Sequence, residues 1–361
     1  MQSPSKVVLS AFFFTGVLAV GLNCQNSSDG TGTVAIAVAE NDASQKVDIM
    51  IDQKLFTSYI FSDEISVLKK PVLYPLVTAG GNHITRGFPL EQRAGERVDH
   101  PHHIGHWLNY GDVNGLDFWN NSDAISGDRV NRMGTIRHQE IAGMRSGNGI
   151  GELEVVAHWQ KPDGTPILRE DTHFVFHADG NARTIDRTTR LTALGEDVTF
   201  KDNKEGFVAI RVTRALEHPS DEAVKVTDAS GKATDVPVLD NTGVTGQYLS
   251  SEGVTATDVW SKRARWVVLR GTIQGEKVAV AILDHPENVG YPTYWHARGY
   301  GLFAANALGQ EVFSEGAEKL NFSLPAGESA TFKYRLYIIS GESTAADIEA
   351  QFKAFSGSED S

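Results

Sequence analysis

The sequence predicts an all-β fold, either a sandwich or a barrel. Three observations carry this. Short segments of alternating apolar and polar residues recur along the chain. Turn residues separate them at short intervals, drawing on 35 glycines. Helical periodicity is absent from the middle of the chain. Successive side chains of a strand point to opposite faces, so a period of two marks a half-buried strand. Many such strands with glycine-rich turns close into a sandwich or barrel. Strands do not alternate with long helices, which disfavours a doubly wound α/β sheet.

In chain order, residues 1–23 read as a signal segment. They carry one charge, Lys6, followed by an uncharged run over residues 7–22. That run is at the short limit for a spanning helix and suits a secretory apolar region. It ends just before Cys24, the only cysteine. The arrangement resembles a bacterial lipoprotein signal, with Cys24 as the lipidated residue. Residues 24–33 are small and polar and form a flexible tether. The protein is therefore expected to be exported and lipid-anchored in the cell envelope, facing the periplasm or the cell surface. Its only contact with the membrane would be the N-terminal anchor. A single cysteine also excludes an intrachain disulfide and a multi-thiolate zinc site.

Residues 34–355 form the expected single β domain. Residues 34–52 suit two strands and a turn, and residues 56–68 continue them. Residues 153–159 and 167–177 make a hairpin around Pro162-Asp163-Gly164, where proline presets one turn angle and glycine tolerates positive φ. Residues 183–194 alternate strongly. Further strands are predicted over residues 207–212, 266–273, 278–283, 301–305, 311–313 and 330–339. Residues 217–235 are polar and turn-rich, a surface excursion. One helix is predicted at the end: Thr344 and Asp347 form a capping box, and Ile348, Phe352 and Phe355 share a face. Residues 356–361 should fray.

Composition narrows the function classes. At 40% hydrophobic residues the chain can fill a sizeable core. Its net charge is −13, with no lysine or arginine cluster. Nucleic acid is therefore not an expected partner, because phosphate affinity needs a basic face.

Three polar constellations stand out. Residues 100–119 read HPHHIGHWLNYGDVNGLDFW, with His100, His102, His103 and His106 inside seven positions and Trp107, Asp112, Asp117 and Trp119 following. If the segment is extended, His100 and His102 share a side and His103 takes the other. Imidazoles so placed can exchange protons near neutral pH or bind a metal. A histidine pair without a clear third ligand is a weak metal signal, so no cofactor is expected, with a metal as the exception. Asn114-Gly115 reads as a tight turn rather than a calcium loop, because the sixth and twelfth positions of such a loop are filled by Asp117 and Asp123. The second constellation is Lys204-Glu205-Gly206 leading into a strand that carries Arg211. A carboxylate beside cations is a candidate general acid or base. The third runs from Asp284-His285 through Tyr291, Trp295, His296, Arg298 and Tyr300. Aromatic faces can stack on a pyranose while charged forks bind its hydroxyls.

HPHHIGHW…GDVNGLDFW, NKEGFVAIRV, WSKRARW, ILDHPEN and YWHARGYGLFAANALG occur in this order. Together they resemble the PmoA family over about residues 60–355. This is a bacterial domain-of-unknown-function family whose "methane oxygenase" label looks misleading. The true methane monooxygenase subunit crosses the membrane several times, and this chain offers no span beyond its signal. The resemblance implies a large β-sandwich similar to the galactose-mutarotase-like supersandwich. In mutarotases a histidine pair and a carboxylate do the acid–base work.

The resulting expectation is a lipoprotein with a carbohydrate-binding cleft and acid–base chemistry of an epimerase, mutarotase or lyase kind. His100, His102, His103 and Glu205 are the expected catalytic residues. Arg211, His285, Trp295, His296, Arg298 and Trp119 are expected to bind substrate. Two alternatives stay open: a non-catalytic sugar-binding lipoprotein, and a metal-dependent hydrolase or lyase.

Overall fold

Apolar residues at every second position fix how the strands stack. In the computed structural model, which describes Met1 and residues 34–357, two antiparallel sheets face each other across a shared core. One has nine strands, the other eight. Inward-facing Val47, Ile49, Leu108, Tyr110, Val208, Ile210 and Phe303 of the first meet Leu153, Val155, Phe174, Ile185, Val280 and Leu336 of the second. The fold is thus a large β-sandwich with a C-terminal helix, as expected. Residues 34–357 belong to one compact unit. The signal segment beyond Met1, Cys24, the whole tether and the last four residues lie outside the described residues.

The order of the nine-stranded sheet positions the site. Tyr294–Ala297, Leu302–Asn306, Gly206–Arg211 and His106–Tyr110 are consecutive neighbours. Three segments far apart in sequence are thereby laid side by side. Ala209 pairs with Trp107 and Val208 with Ala305. The outer face of these strands carries a second apolar layer, including Trp107, Trp119, Ala209, Leu302 and Ala304. Gly206–Arg211 is buried along its whole length because both its faces are covered.

The eight-stranded sheet covers its outer face with the helix Ala345–Ser356. Thr344 accepts from the Asp347 amide and the Asp347 carboxylate accepts from the Thr344 amide, the predicted capping box. Ile348 and Phe352 pack on Trp266, Ala281 and Ile339. The helix ends at Gly357, whose φ of 66° is left-handed.

Some local expectations are corrected. Residues 311–313 belong to a single helical turn, Gln310–Phe313, entered from Gly309. Three residues carry too short an alternation to separate a strand from a turn of helix. The excursion at 217–235 contains a two-stranded ribbon, Val224–Thr227 with Ala233–Val238. Asn114 and Gly115 do make a tight turn, with φ of 51° and 80°, closed by pairing of Val113 with Leu116.

Candidate active site

The histidine segment is a turn, not an extended run. The His103 amide donates to the His100 carbonyl at 2.9 Å, with Pro101 at the corner. This reverses the expected side-chain arrangement. His100 and His103, one turn apart, lie parallel with centroids 4.8 Å apart, while His102 meets both edge-on. Arg86 holds the loop in this shape. Its buried guanidinium donates to the carbonyls of Arg97, Asp99, His100 and His103. From there a column of rings runs Tyr300, His100, His103, Trp107, at centroid spacings of 5.1, 4.8 and 5.4 Å.

Beneath the loop, Asp99 accepts from Arg86 and Arg211, each at 2.6 Å, and pairs with His100 at 3.3 Å. Burial works to raise the Asp99 carboxyl, but the Arg211 and Arg86 charges and the His100 contact win and hold it well below the usual carboxylate range. Arg211 was expected to bind substrate. It is instead completely buried, and it supports Asp99 and donates to His103 Nδ1 at 3.2 Å. It therefore orients the loop from below.

The other wall comes from the neighbouring segments. His296 lies parallel to Trp119, with its Nδ1 3.8 Å from a Glu205 carboxylate oxygen. Trp119 in turn is edge-on to His103 at 5.5 Å. Trp260 meets His296 edge-on, and the Arg298 guanidinium lies over Trp260 at 3.6 Å. His100, His102, His103, Trp119, Glu205, His296 and Arg298 thus converge on the outer face of one sheet. His100 and Glu205 form the accessible rim, with side chains 41% and 21% exposed.

Two expected residues are elsewhere. In the strand Tyr294–Ala297, His296 projects outward, so Trp295 must project into the core between the sheets. There its indole donates to the Ala264 carbonyl and packs near Phe303. His285 follows a strand of the other sheet, and its ring meets Phe355 of the C-terminal helix. His106 also points into the core, sharing its side of the strand with Leu108 and Tyr110.

Proton positions follow from the partners. Arginine only donates, so His103 Nδ1 accepts and its Nε2 carries the hydrogen. His296 bonds the Lys204 carbonyl while its Nδ1 has no partner, so Nε2 carries that hydrogen and Nδ1 is an acceptor. The buried atoms His103 Nε2, His102 Nε2, Trp119 Nε1 and His296 Nδ1 all lack a hydrogen-bond partner in the protein. Burial, aided by neighbouring positive charge, lowers His102 to about 2 and His296 to about 3. It also holds His103 well below its ordinary value. These imidazoles are neutral. Burial raises the Glu205 carboxyl, against the opposing pull of Lys204.

Sequence reasoning missed Lys70, Asp99 and Trp260 as parts of this site, and left Tyr300 of the third constellation without a role of its own. Lys70 is buried, donates to the His102 carbonyl at 2.8 Å and lies over Trp107. Burial pulls it down to about 7. Its one visible signal was a lysine pair interrupting an apolar segment. Among the described residues the histidines of the loop do not gather three metal-ligating atoms. The one group that does is Glu152, Glu154 and His173, on another strand pair. The Asp112 and Asp117 carboxylates accept from backbone amides of their own turns.

No curated protein matches this chain. Among solved structures, the galactosidase domain of an α-galactosidase–sucrose kinase is 9% identical, with a TM-score of 0.39, covering 84% of this chain and 42% of its own. This chain thus spans less than half the length of that protein. A putative aldose 1-epimerase from Escherichia coli K12 is 12% identical, with a TM-score of 0.30, covering 85% of this chain and 99% of its own. Galactose 1-epimerase from Lactobacillus acidophilus NCFM is 10% identical, with a TM-score of 0.31, covering 86% and 100%. No activity carries over at these values. A family model described as "Family of unknown function (DUF6807)" matches residues 46–353, and the chain belongs to that family.

Proposed function

We propose that this protein binds a carbohydrate against the outer face of its nine-stranded sheet and performs acid–base chemistry on it. One observation carries the reading. Four buried ring nitrogens, His102 Nε2, His103 Nε2, Trp119 Nε1 and His296 Nδ1, have no partner in the protein. An unsatisfied buried polar atom costs about 1–3 kcal/mol, so a group of them is retained at that expense for a reason other than stability. His103 and Trp119 offer donors, and His296 offers an acceptor. A hydroxyl both donates and accepts, and a polyol presents several in a row. The neutral imidazoles suit uncharged hydroxyls better than ions.

Glu205 supplies the chemistry in this reading. Its carboxyl is raised by burial against the pull of Lys204, the direction that favours returning a proton as well as taking one. The His296 acceptor beside it completes a relay to a bound hydroxyl. The reaction class is proton transfer at a sugar carbon or anomeric centre, without a metal or other cofactor. The PmoA resemblance and export as a lipoprotein anchored through Cys24 belong to the same proposal.

A thermal-shift screen against neutral sugars, 3-keto sugars and uronates tests binding, because a ligand of the native state raises Tm. Glu205→Gln should then leave Tm of the free protein within a degree or so. It should lower turnover of the identified sugar by about 100-fold or more. Binding retained with no turnover in either protein would leave a non-catalytic sugar-binding protein.

A further inference from the structure

Beside the histidine cluster lies a cavity of about 310 Å3, bounded by Arg97, His218, Thr257, Trp260, Arg298 and Tyr300. Tyr300 is the outer ring of the column that holds His100, and Trp260 touches His296. The cavity therefore continues the proposed sugar site. Its lining contains two arginines and a histidine and no carboxylate, in a chain whose net charge is −13.

The two arginines are not equivalent. Arg97 is neutralised by the buried Glu217 carboxylate at 3.0 Å. Arg298 has no carboxylate partner among the described residues. Its guanidinium is laid flat against Trp260 at 3.6 Å, and its buried Nε has no acceptor. Stacking on an aromatic face fixes the plane of the guanidinium and leaves its N–H edge free for an in-plane partner. His218, held by its amide on the Gly299 carbonyl and by its ring on Tyr248, has a buried Nε2 that is also unpartnered.

We propose that this cavity is an anion subsite for the carboxylate of an acidic sugar, a uronate or a uronate-bearing oligosaccharide. The carboxylate would take the fork of Arg298 in plane, with His218 as a further hydrogen-bonding group. Resting on the sugar-binding reading above, it narrows the substrate class. A planar carboxylate matches one fixed guanidinium edge, and a monoanion matches one unpaired cation.

The test is calorimetric titration of the purified protein with D-glucuronate and D-galacturonate, with D-glucose and D-galactose as neutral counterparts, and with sodium sulfate. At least one uronate should bind about tenfold or more tightly than its neutral counterpart, the scale of one charge-assisted pair. Arg298→Gln should bring the two within about twofold while the Tm of the free protein is kept. Neutral sugars binding as tightly as uronates would overturn the anion subsite and leave the sugar site standing. A uronate preference that survives Arg298→Gln would also overturn it. Sulfate binding as tightly as the uronate would show an anion site with no sugar. If no sugar binds, both readings fall.

Discussion

Two buried polar clusters lie on opposite faces of the same strand, His106–Tyr110, and they differ in one respect. On the inner side, between the sheets, the Glu170 carboxylate accepts from the Trp159 indole, the Arg187 guanidinium and the Thr172 hydroxyl at 2.8–2.9 Å. Arg187 also donates to Thr189, which is bonded to Thr172. His106 borders a cavity of only about 10 Å3 there. On the outer side, His102, His103, Trp119 and His296 are as deeply buried, yet each leaves a ring nitrogen without a partner. Burial alone therefore does not separate a structural polar cluster from a functional one. Satisfaction does. The hydrogen bonds among Trp159, Glu170, Thr172, Arg187 and Thr189 form a closed set that ties three neighbouring strands of the eight-stranded sheet together. The outer cluster is braced on one side by Arg211 and Asp99, and its accessible rim is His100 and Glu205.

Among single substitutions, removing one member of the closed cluster should have the largest effect on stability. Glu170→Ala leaves Arg187 charged and buried, and Arg187→Met does the same to Glu170. Each should cost about 3–5 kcal/mol in urea unfolding. Replacing both with apolar residues should recover most of that loss, since an ion pair is often matched by a hydrophobic pair of similar volume. Sugar binding should be unchanged in any variant that folds. Little loss from either single change would deny the inner cluster its structural role.

Protonation tests burial on both faces of the strand at once. His102, His106 and His296 titrate near 2, 3 and 3 in the folded protein, from an ordinary value of 6.5. Between those values the unfolded chain carries protons that the native state lacks. Stability is therefore full above pH 6.5 and falls as pH drops toward 3. The slope should be about 1.4 kcal/mol per pH unit for each histidine. Lys70 acts in another window. Its fall from 10.5 to about 7 means that the unfolded chain again holds the extra proton, so stability should rise from pH 7 to 10.5. Lys70→Met should flatten that rise. Urea midpoints across both windows decide the matter, and a flat acid limb would show that the imidazoles are charged and hydrated instead.

Which parts were legible in the sequence follows from the range of the interactions. Period-two alternation is local, so the strands over 183–194 and 330–339 could be read directly, as could the Thr344–Asp347 cap. The same rule placed His296 but misplaced Trp295, because a third constellation taken as a unit ignores that neighbours in a strand face opposite ways. The 100–103 loop was misread for a different reason. Its turn is fixed by Arg86, fourteen residues before His100, and by Arg211, over a hundred residues after His103. No local pattern encodes such contacts. His285 was drawn in by composition alone, since a histidine beside aromatics reads the same whether it faces a ligand or the C-terminal helix. Tyr300 and Trp260 acquire their roles only once strand order places 294–306 one strand away from 106–110, across 206–211.

The smallest expected change in stability is also the sharpest test of the comparison. His296→Phe keeps a ring between Trp119, Trp260 and Phe313. It removes one unpartnered buried nitrogen and one hydrogen bond to the Lys204 carbonyl. That carbonyl keeps its bond from the Asn306 side chain at 2.9 Å, so no acceptor is stranded. The two changes act in opposite directions, and the net should lie within about 1 kcal/mol of zero, in either sign. Sugar affinity should nevertheless fall by about tenfold or more, because a hydroxyl bound at Nδ1 loses its acceptor. A loss of stability on the scale of Glu170→Ala would mean that His296 is part of the scaffold after all. The open nitrogens of the outer face would then need an explanation other than a ligand.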